Sequence, residues 1–310
     1  MSAGRGAGTT VTVGTFDGLH RGHQAVLAEI VSRARASGRA SVAVTFEPHP
    51  LVIVAPERAP CLLTTADEKR LLWPLFGIDH VDVVPFTEAV RRMSPEEFVR
   101  RVLIERWDVG ELVIGYDHGF GKDRSGDVDT LRRIGREAGF LVDVVGPVEG
   151  TGGPVSSSAI RRAVAAGDLA GAAAGLGRAY SAAGEVVPGA GRGRGLGFPT
   201  ANVALPDPAK CLPPLGVYAV RATLDGDSVA GMANLGARPT FGEEATRLEV
   251  HLLDWEGEDL AGSRMEVAFV GRLRDVRRFA GPAELAGQLE RDREGARALL
   301  APGAGVARTR

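Results

Sequence analysis

The chain has 310 residues, 37 Lys+Arg against 39 Asp+Glu, a net charge of −2 and 44% hydrophobic residues. That length suits about two domains, and the composition is that of an ordinary globular protein, which excludes a disordered, collagenous or coiled-coil chain. Near-neutrality gives no electrostatic footprint for nucleic acid, so no nucleic-acid partner is expected. Only Lys69, Lys122 and Lys210 are lysines; the arginine excess, with abundant Ala and Gly, reads as genomic G+C bias rather than as phosphate binding. Cys61 and Cys211 are too few for a disulfide framework or a Cys-based zinc site, and they fit a reducing compartment. No apolar run approaches the ~20 residues that span a bilayer, so a soluble, cytoplasmic protein without a membrane partner is expected.

In chain order, Thr10–Val13 is a β-branched run that ends at Gly14. After Gly22, Val26, Leu27, Ile30, Val31 and Ala34 share one face of a helix, with Gly38 at the expected C-cap. Ser41–Phe46, His80–Val84, Leu112–Ile114 and Phe140–Val145 are short enough to be buried strands. Ser94-Pro95-Glu96-Glu97 opens a helix: Ser94 as N-cap, Pro95 at the first helical position, Glu97 closing a capping box. This alternation predicts an α/β fold, a doubly wound parallel sheet with helices on both faces. Ligands of such sheets gather at the carboxyl ends of the strands, which directs attention to the loop after the first strand.

The stretch from Ala163 to Gly177 reads as a helix end plus a connection. The rhythm then changes to Gly/Pro-rich turns and short alternating runs: Tyr218–Leu224, Thr246–Leu253 and Met265–Val270, with Asp225-Gly226-Asp227 a turn. A last helix from about Pro282 to Leu300 carries Leu285, Leu289 and Leu299. The pattern predicts a small antiparallel β-barrel with a C-terminal helix. The expected domains are residues 1–175 and 176–310.

Two constellations carry chemistry. Gly14-Thr15-Phe16-Asp17-Gly18-Leu19-His20-Arg21-Gly22-His23 links the first strand to the first helix. Glycines let the backbone approach a ligand, and the free amides of a helix N-terminus favour an anion. His20 and His23 in the first turn face one way and can stabilise a phosphoryl-transfer transition state, although either could equally be structural. A metal reading lacks a third ligand. The run is neither a Walker A sequence nor a Rossmann fingerprint; Gly121-Lys122-Asp123 also lacks the Walker spacing.

The second constellation is Gly191-Arg192-Gly193-Arg194-Gly195-Leu196-Gly197, followed by Phe198-Pro199-Thr200-Ala201-Asn202. The alternate glycines Gly191, Gly193, Gly195 and Gly197 make either a solvated or RNA-contacting segment or a loop that folds over phosphates. Thr200 and Asn202 supply hard oxygen ligands suited to Mg²⁺. Strand alternation puts Glu249 and His251 on one face, which by pattern alone is a solvent face.

These runs resemble a family. Gly-x-Phe-Asp-Gly-x-His-x-Gly-His is similar to the His-x-Gly-His nucleotidyltransferases. The chain goes on to resemble the bacterial bifunctional riboflavin kinase/FAD synthetase (FMN adenylyltransferase) family in Thr45-Phe46-Glu47-Pro48-His49-Pro50, Leu63-Thr64-Thr65 with Glu68-Lys69, Gly115-Tyr116-Asp117-His118-Gly119-Phe120-Gly121-Lys122 and Val155-Ser156-Ser157-Ser158-Ala159-Ile160-Arg161. The kinase half resembles it in Pro199-Thr200-Ala201-Asn202, Gly216-Val217-Tyr218, Asn234 to Phe241, the strand holding Glu249, and Leu273-Arg274. The likeness covers nearly the whole chain.

The resemblance implies a transferase with two ATP-dependent reactions: riboflavin to FMN in the C-terminal domain, then FMN to FAD with release of pyrophosphate in the N-terminal one. It implies that His20 and His23 neutralise ATP phosphates, beside Gly14, Phe16 and Asp17 in the ATP site. Ser157, Ser158 and Arg161 would hold the β- and γ-phosphates; Ser156–Ser158 read by themselves are an ordinary N-cap. Asp117 and Phe120 would lie on the flavin side. In the kinase, the glycine loop, Pro199, Thr200, Asn202 and Arg238 would bind ATP or flavin, Thr200 and Asn202 would hold Mg²⁺, and Glu249 would be the general base. His251 is read as structural. The partners implied are riboflavin, FMN and ATP, with a homo-oligomer left open. Ser158 in place of Thr keeps the hydroxyl, and Ala179 stands where Pro is common. Ala261, where members usually carry Tyr, is the departure that bears on packing near the flavin. Two alternatives are a His-x-Gly-His nucleotidyltransferase for another phosphorylated substrate and a flavin-binding regulator; the first leaves the Pro-Thr-Ala-Asn half unexplained, the second the retained chemistry.

Overall fold

A computed structural model describes residues 8–116, 127–189, 193–237, 246–255 and 260–301. Asp117, Phe120, Gly191 and Arg238 lie outside the described residues. The chain divides into two compact units, residues 1–157 and 158–310.

In the first unit, five parallel strands stand in the order β3-β2-β1-β4-β5. They are β1 (Thr9–Val13), β2 (Ala40–Glu47), β3 (His80–Pro85), β4 (Val109–Gly115) and β5 (Leu141–Val145). Ser41 to Phe46 of β2 are buried without a break, as expected for a central strand covered on both faces. Helix α1 (Arg21–Ser37) follows β1 and buries Val26, Leu27, Ile30, Val31 and Ala34, the face expected from their spacing. It ends at Gly38, whose φ of 64° only glycine adopts readily. On that side Leu27, Ile30 and Trp73 pack with Val113. On the other face, Phe98, Val102, Leu131 and Ile134 pack against Val42, Val44 and Leu112. Each such side chain contributes ~1.5–3 kcal/mol of burial, so the sheet is held from both sides.

Helix α2 (Ala66–Leu72) starts at a capping box, Thr65 with Glu68. Helix α3 (Pro95–Phe98) starts at the expected one, Ser94 with Glu97, and runs on through wider turns to Trp107. Helix α4 (Val128–Ala138) lies between β4 and β5.

Helix α5 (Ser157–Ala166) opens at the last residue of the first unit, and in the second it is followed by a helix absent from the sequence expectation, α6 (Leu169–Leu176). The Ala/Gly stretch hid it. It nevertheless has an N-cap, Asp168 accepting from the amide of Gly171, and a C-cap at Gly177. Six antiparallel strands then close into a barrel in the order β8-β9-β10-β7-β6-β11. They are β6 (Tyr180–Val187), β7 (Ala201–Ala204), β8 (Gly216–Leu224), β9 (Asp227–Ala237), β10 (Thr246–Leu252) and β11 (Arg264–Arg274). Asp225 and Gly226, both at positive φ (49° and 95°), form the β8–β9 hairpin turn. Helix α7 (Pro282–Leu300) covers the barrel with Ala296 and Leu300 against Ala219 and Met232. A bidentate Arg274–Asp292 pair ties it to β11.

Neither cysteine is a free thiol, a state that spacing along the chain does not reveal. No helix among the described residues is long and apolar enough to cross a membrane.

Candidate active sites

The first site stands where the strand order of the parallel sheet reverses, between β1 and β4, the crevice in which such sheets bind ligands. After β1, Phe16, Gly18 and Leu19 take positive φ values of 49°, 83° and 43°. Left-handed bulky residues cost ~1–3 kcal/mol each. Complete burial of Phe16 and Leu19 offsets this, and the result is a tight loop that delivers His20 to the start of α1. His20 is the N-cap: its Nδ1 accepts from the His23 amide at 3.3 Å, so in the neutral ring the proton resides on Nε2. The two imidazoles stack with centroids 3.7 Å apart, and the Phe16 ring meets His23 edge-on at 5.2 Å.

Desolvation pushes the pKa of His23 well below the usual histidine value, and the positive charges of His20 and Lys69 push it the same way. Its Nδ1 is buried without a hydrogen-bond partner. A buried polar nitrogen is rarely left so, and this one stands in the first turn of a helix, where an anionic ligand is favoured. Gly22 lies against this pair; a Cβ there would stand 3.1 Å from the His20 ring.

Asp17 does a different job from its neighbours. Its carboxylate accepts from the amides of Leu63 (3.1 Å) and Thr64 (2.9 Å), and the Gly18 amide donates to the Thr64 hydroxyl at 2.9 Å. The loop is thereby pinned onto the segment that leads into α2. That helix carries Lys69, to which the sequence alone assigns no role. Lys69 is 8% exposed, and its Nζ is 3.6 Å from the Glu47 carboxylate. Burial lowers its pKa, against the opposing pull of Glu47 and Asp17. The signal for it was available: a capping box at Thr65 that starts a helix beside the glycine loop.

The Ser157 hydroxyl donates to the Asp17 carbonyl at 2.9 Å, so it braces the loop. Gly14 continues the sheet, its amide donating to Val44. Ser158 and Arg161 stand in the first turn and a half of α5, in the second unit.

The second site is a row across the barrel. Register pairs Asn234 of β9 with Glu249 of β10, and Glu249 with Asn202 of β7. Asn234 Nδ2 donates to Glu249 Oε2 at 3.3 Å. Arg247, two residues before Glu249 and on its face, fills the rest of the row. Its Nη2 is 2.8 Å from Glu249 Oε1, and its Nε donates to Asn202 Oδ1 at 2.9 Å, with a second, shorter bond from Nη2. Arg247 was not singled out from the sequence, although its place in the alternation with Glu249 and His251 was available. His251 bonds the Pro199 carbonyl through Nδ1 at 2.8 Å and packs on Phe198, a structural position.

Asn202 is 8% exposed; Pro199 and Thr200 are exposed. Residues 194–196 form a helical turn between Gly193 and Gly197. At Gly193 a Cβ would stand 2.2 Å from the Phe198 carbonyl oxygen, so this glycine is required by the close approach of two backbones. Asn202 Oδ1, expected with Thr200 to face a metal, accepts from the Arg247 guanidinium. No cluster of three or more His, Cys, Asp or Glu suited to a metal occurs among the described residues.

Comparison with known proteins gives both halves a likeness. Residues 4–159 match the FAD synthetase family and residues 176–300 the riboflavin kinase family. A bifunctional riboflavin kinase/FMN adenylyltransferase from Pseudomonas fluorescens is 43% identical, over 96% of this chain and 94% of its own. The protein of the same description from Escherichia coli (strain K12) is 37% identical, over 92% and 90%. A crystal structure described as a macrolide-efflux protein from Streptococcus pneumoniae superposes with a TM-score of 0.84 at 30% identity, covering 95% of each chain.

Proposed function

This chain belongs to the bifunctional riboflavin kinase/FMN adenylyltransferase family, and from that premise we propose how its residues divide the two reactions. It phosphorylates riboflavin to FMN and adenylylates FMN to FAD, with ATP as the second substrate of both. The observation that carries the division is that each family match covers a polar constellation of its own, the stacked histidines in one and the Asn202–Glu249–Asn234 row in the other.

In FAD formation, a phosphate oxygen of FMN attacks the α-phosphorus of ATP, the bond to the β-phosphate oxygen breaks, and pyrophosphate leaves. His20 directs its Nε2 proton to the transferring phosphate, and the amides opening α1 add to it. His23, kept neutral by burial and its cationic neighbours, contributes a hydrogen bond rather than a charge. Lys69 supplies the fixed positive charge. Asp17 positions the loop, and Ser157, Ser158 and Arg161 serve the β- and γ-phosphates. The flavin side falls to Asp117 and Phe120. A site of this kind works by positioning and charge neutralisation.

In FMN formation, the ribityl 5′-hydroxyl loses its proton to the Glu249 carboxylate, its oxygen attacks the γ-phosphorus, and ADP leaves. Asn234 orients the carboxylate. The loop Gly191–Gly197, Pro199, Thr200 and Arg238 contact ATP or flavin. Mg²⁺ is the expected partner of the phosphates in both reactions; in the barrel Thr200 and Asn202 would hold it, with the Asn202 oxygen bonded to Arg247 before substrates arrive. The domains are proposed as residues 1–175 and 176–310, and the location as cytoplasmic.

The test is a time course of the purified protein with riboflavin, ATP and Mg²⁺, the flavins separated by chromatography. FMN appearing before FAD is the expected outcome. FMN without FAD would remove the adenylyl reading of the histidine site. No product, with flavin still bound, would favour a flavin-binding regulator.

A further inference from the structure

The Asn202 side-chain oxygen is engaged by Arg247. Its guanidinium reaches Asn202 Oδ1 with Nε and Nη2 and Glu249 Oε1 with Nη2. It therefore bridges the two residues to which the kinase reading gives metal binding and proton abstraction. A divalent ion such as Mg²⁺ needs its oxygen ligands at ~2.0–2.1 Å, and a guanidinium bonded to the same oxygen would lie against it with like charge.

One of the two partners must move for a metal to enter, and the surroundings identify which. Asn202 is 8% exposed and sits in the β7–β10 ladder opposite Glu249. Its amide lies so close over Gly189 that a Cβ there would stand 1.8 Å from Nδ2. The Arg247 side chain is 35% exposed and sits at the beginning of its strand. Asn202 is fixed; Arg247 has solvent to swing into.

We propose that Arg247 is the resident cation of the barrel site: it holds Asn202 and Glu249 in place before substrates arrive and competes with the metal for Asn202 Oδ1. The inference rests on the kinase reading of Asn202 and Glu249. While Arg247 is in place, the lone pair of Glu249 Oε1 is engaged by the guanidinium. When Arg247 leaves, that oxygen is free to take the substrate proton. Arg247 is a positioning residue in this scheme, because it acts through its two neighbours. A site without substrates thereby keeps these polar atoms satisfied.

The experiment measures Mn²⁺ binding to the full chain in the presence of ADP, by the loss of the free-ion EPR signal. It compares the native protein with Arg247→Gln, Arg247→Lys and the double variant Arg247→Gln/Asn202→Ala. Removing a partly exposed competing ion pair should tighten Mn²⁺ by up to about fivefold in Arg247→Gln. Arg247→Lys, which keeps the charge without the fork, should fall between. The double variant should lose the gain, which assigns it to the barrel rather than to the other unit.

Unchanged Mn²⁺ affinity in Arg247→Gln overturns the proposal. So does weaker binding of metal-free ADP without tighter Mn²⁺, which would make Arg247 a phosphate contact. Riboflavin phosphorylation by the native protein, measured in parallel, separates the two levels: its absence sinks the kinase reading, whereas the metal titration alone decides the role of Arg247.

Discussion

The two sites are built by opposite means. The histidine site comes from one contiguous run, Gly14 to His23, whose own backbone bends at Phe16, Gly18 and Leu19 and whose last residues open a helix. The barrel site comes from three strands, and no two of Asn202, Asn234 and Glu249 are near in sequence; only the ladder register joins them. Their electrostatics differ as well. At the first site His23 is held neutral with an unpartnered Nδ1. At the second, each polar group named is engaged by another, with Arg247 at the centre. A contiguous site can keep an incomplete polar group because helix and loop fix it locally. A cross-strand site needs internal partners to keep its row aligned.

The sharpest way to break this comparison is Glu249→Gln. Loss of a general base should lower FMN formation by about 10²–10⁴-fold and leave conversion of added FMN to FAD at the native rate. Chromatography of the flavins reads both, and equal loss of the two reactions would contradict the separation of the sites. His23→Ala is the mirror experiment. Removing one preorganised donor should cost about 10²–10³-fold in FAD formation with FMN formation retained; an unchanged FAD rate removes His23 from the site.

Asp17→Ala tests whether that carboxylate belongs to the scaffold. It leaves the buried amides of Leu63 and Thr64 without their acceptor, at ~1–3 kcal/mol per unpaired group. Urea denaturation should show an earlier transition. Unaltered stability would return Asp17 to a role in ligand binding alone.

The smallest effect is a pH dependence. The folded pKa of His23 lies below its unfolded value of about 6.5. Between the two values the unfolded chain binds the proton and the folded one does not. Stability therefore falls as pH drops below ~6.5, by at most ~1.4 kcal/mol per pH unit from this group, and is flat above it. Long-range ¹H–¹⁵N spectra of the imidazoles should show a neutral His23 ring at pH 7, and a ring that titrates at or above 6.5 would contradict the assignment.

Much of the fold was legible. The α1 face, its Gly38 cap and the Ser94–Glu97 box are patterns with local causes, and all three stand as expected. The exception, α6, failed because Leu169–Leu176 is so rich in Ala and Gly that it shows no periodic contrast; its caps were the readable signal. The same limit applied to the sites. His20 and His23 were visible because one turn of helix fixes their spacing. Lys69 and Arg247 were not singled out, since each matters through a neighbour distant in sequence.

What the sequence determined by itself are the features that hydrogen bonds and side chains within a few residues decide: the strand and helix rhythm, the histidine loop, the tight turn at Asp225-Gly226, and the likeness to a family through ordered motifs. Tertiary structure alone decided the strand order that places the loop at the sheet's reversal point, the state of both cysteines, the commitment of Asp17 to Leu63 and Thr64, and the bridge from Arg247 to Asn202 and Glu249. The reason is physical. Local patterns record what a segment does with its own backbone, whereas a side chain's partners, its burial and hence its charge state depend on which distant segments the packed chain brings beside it.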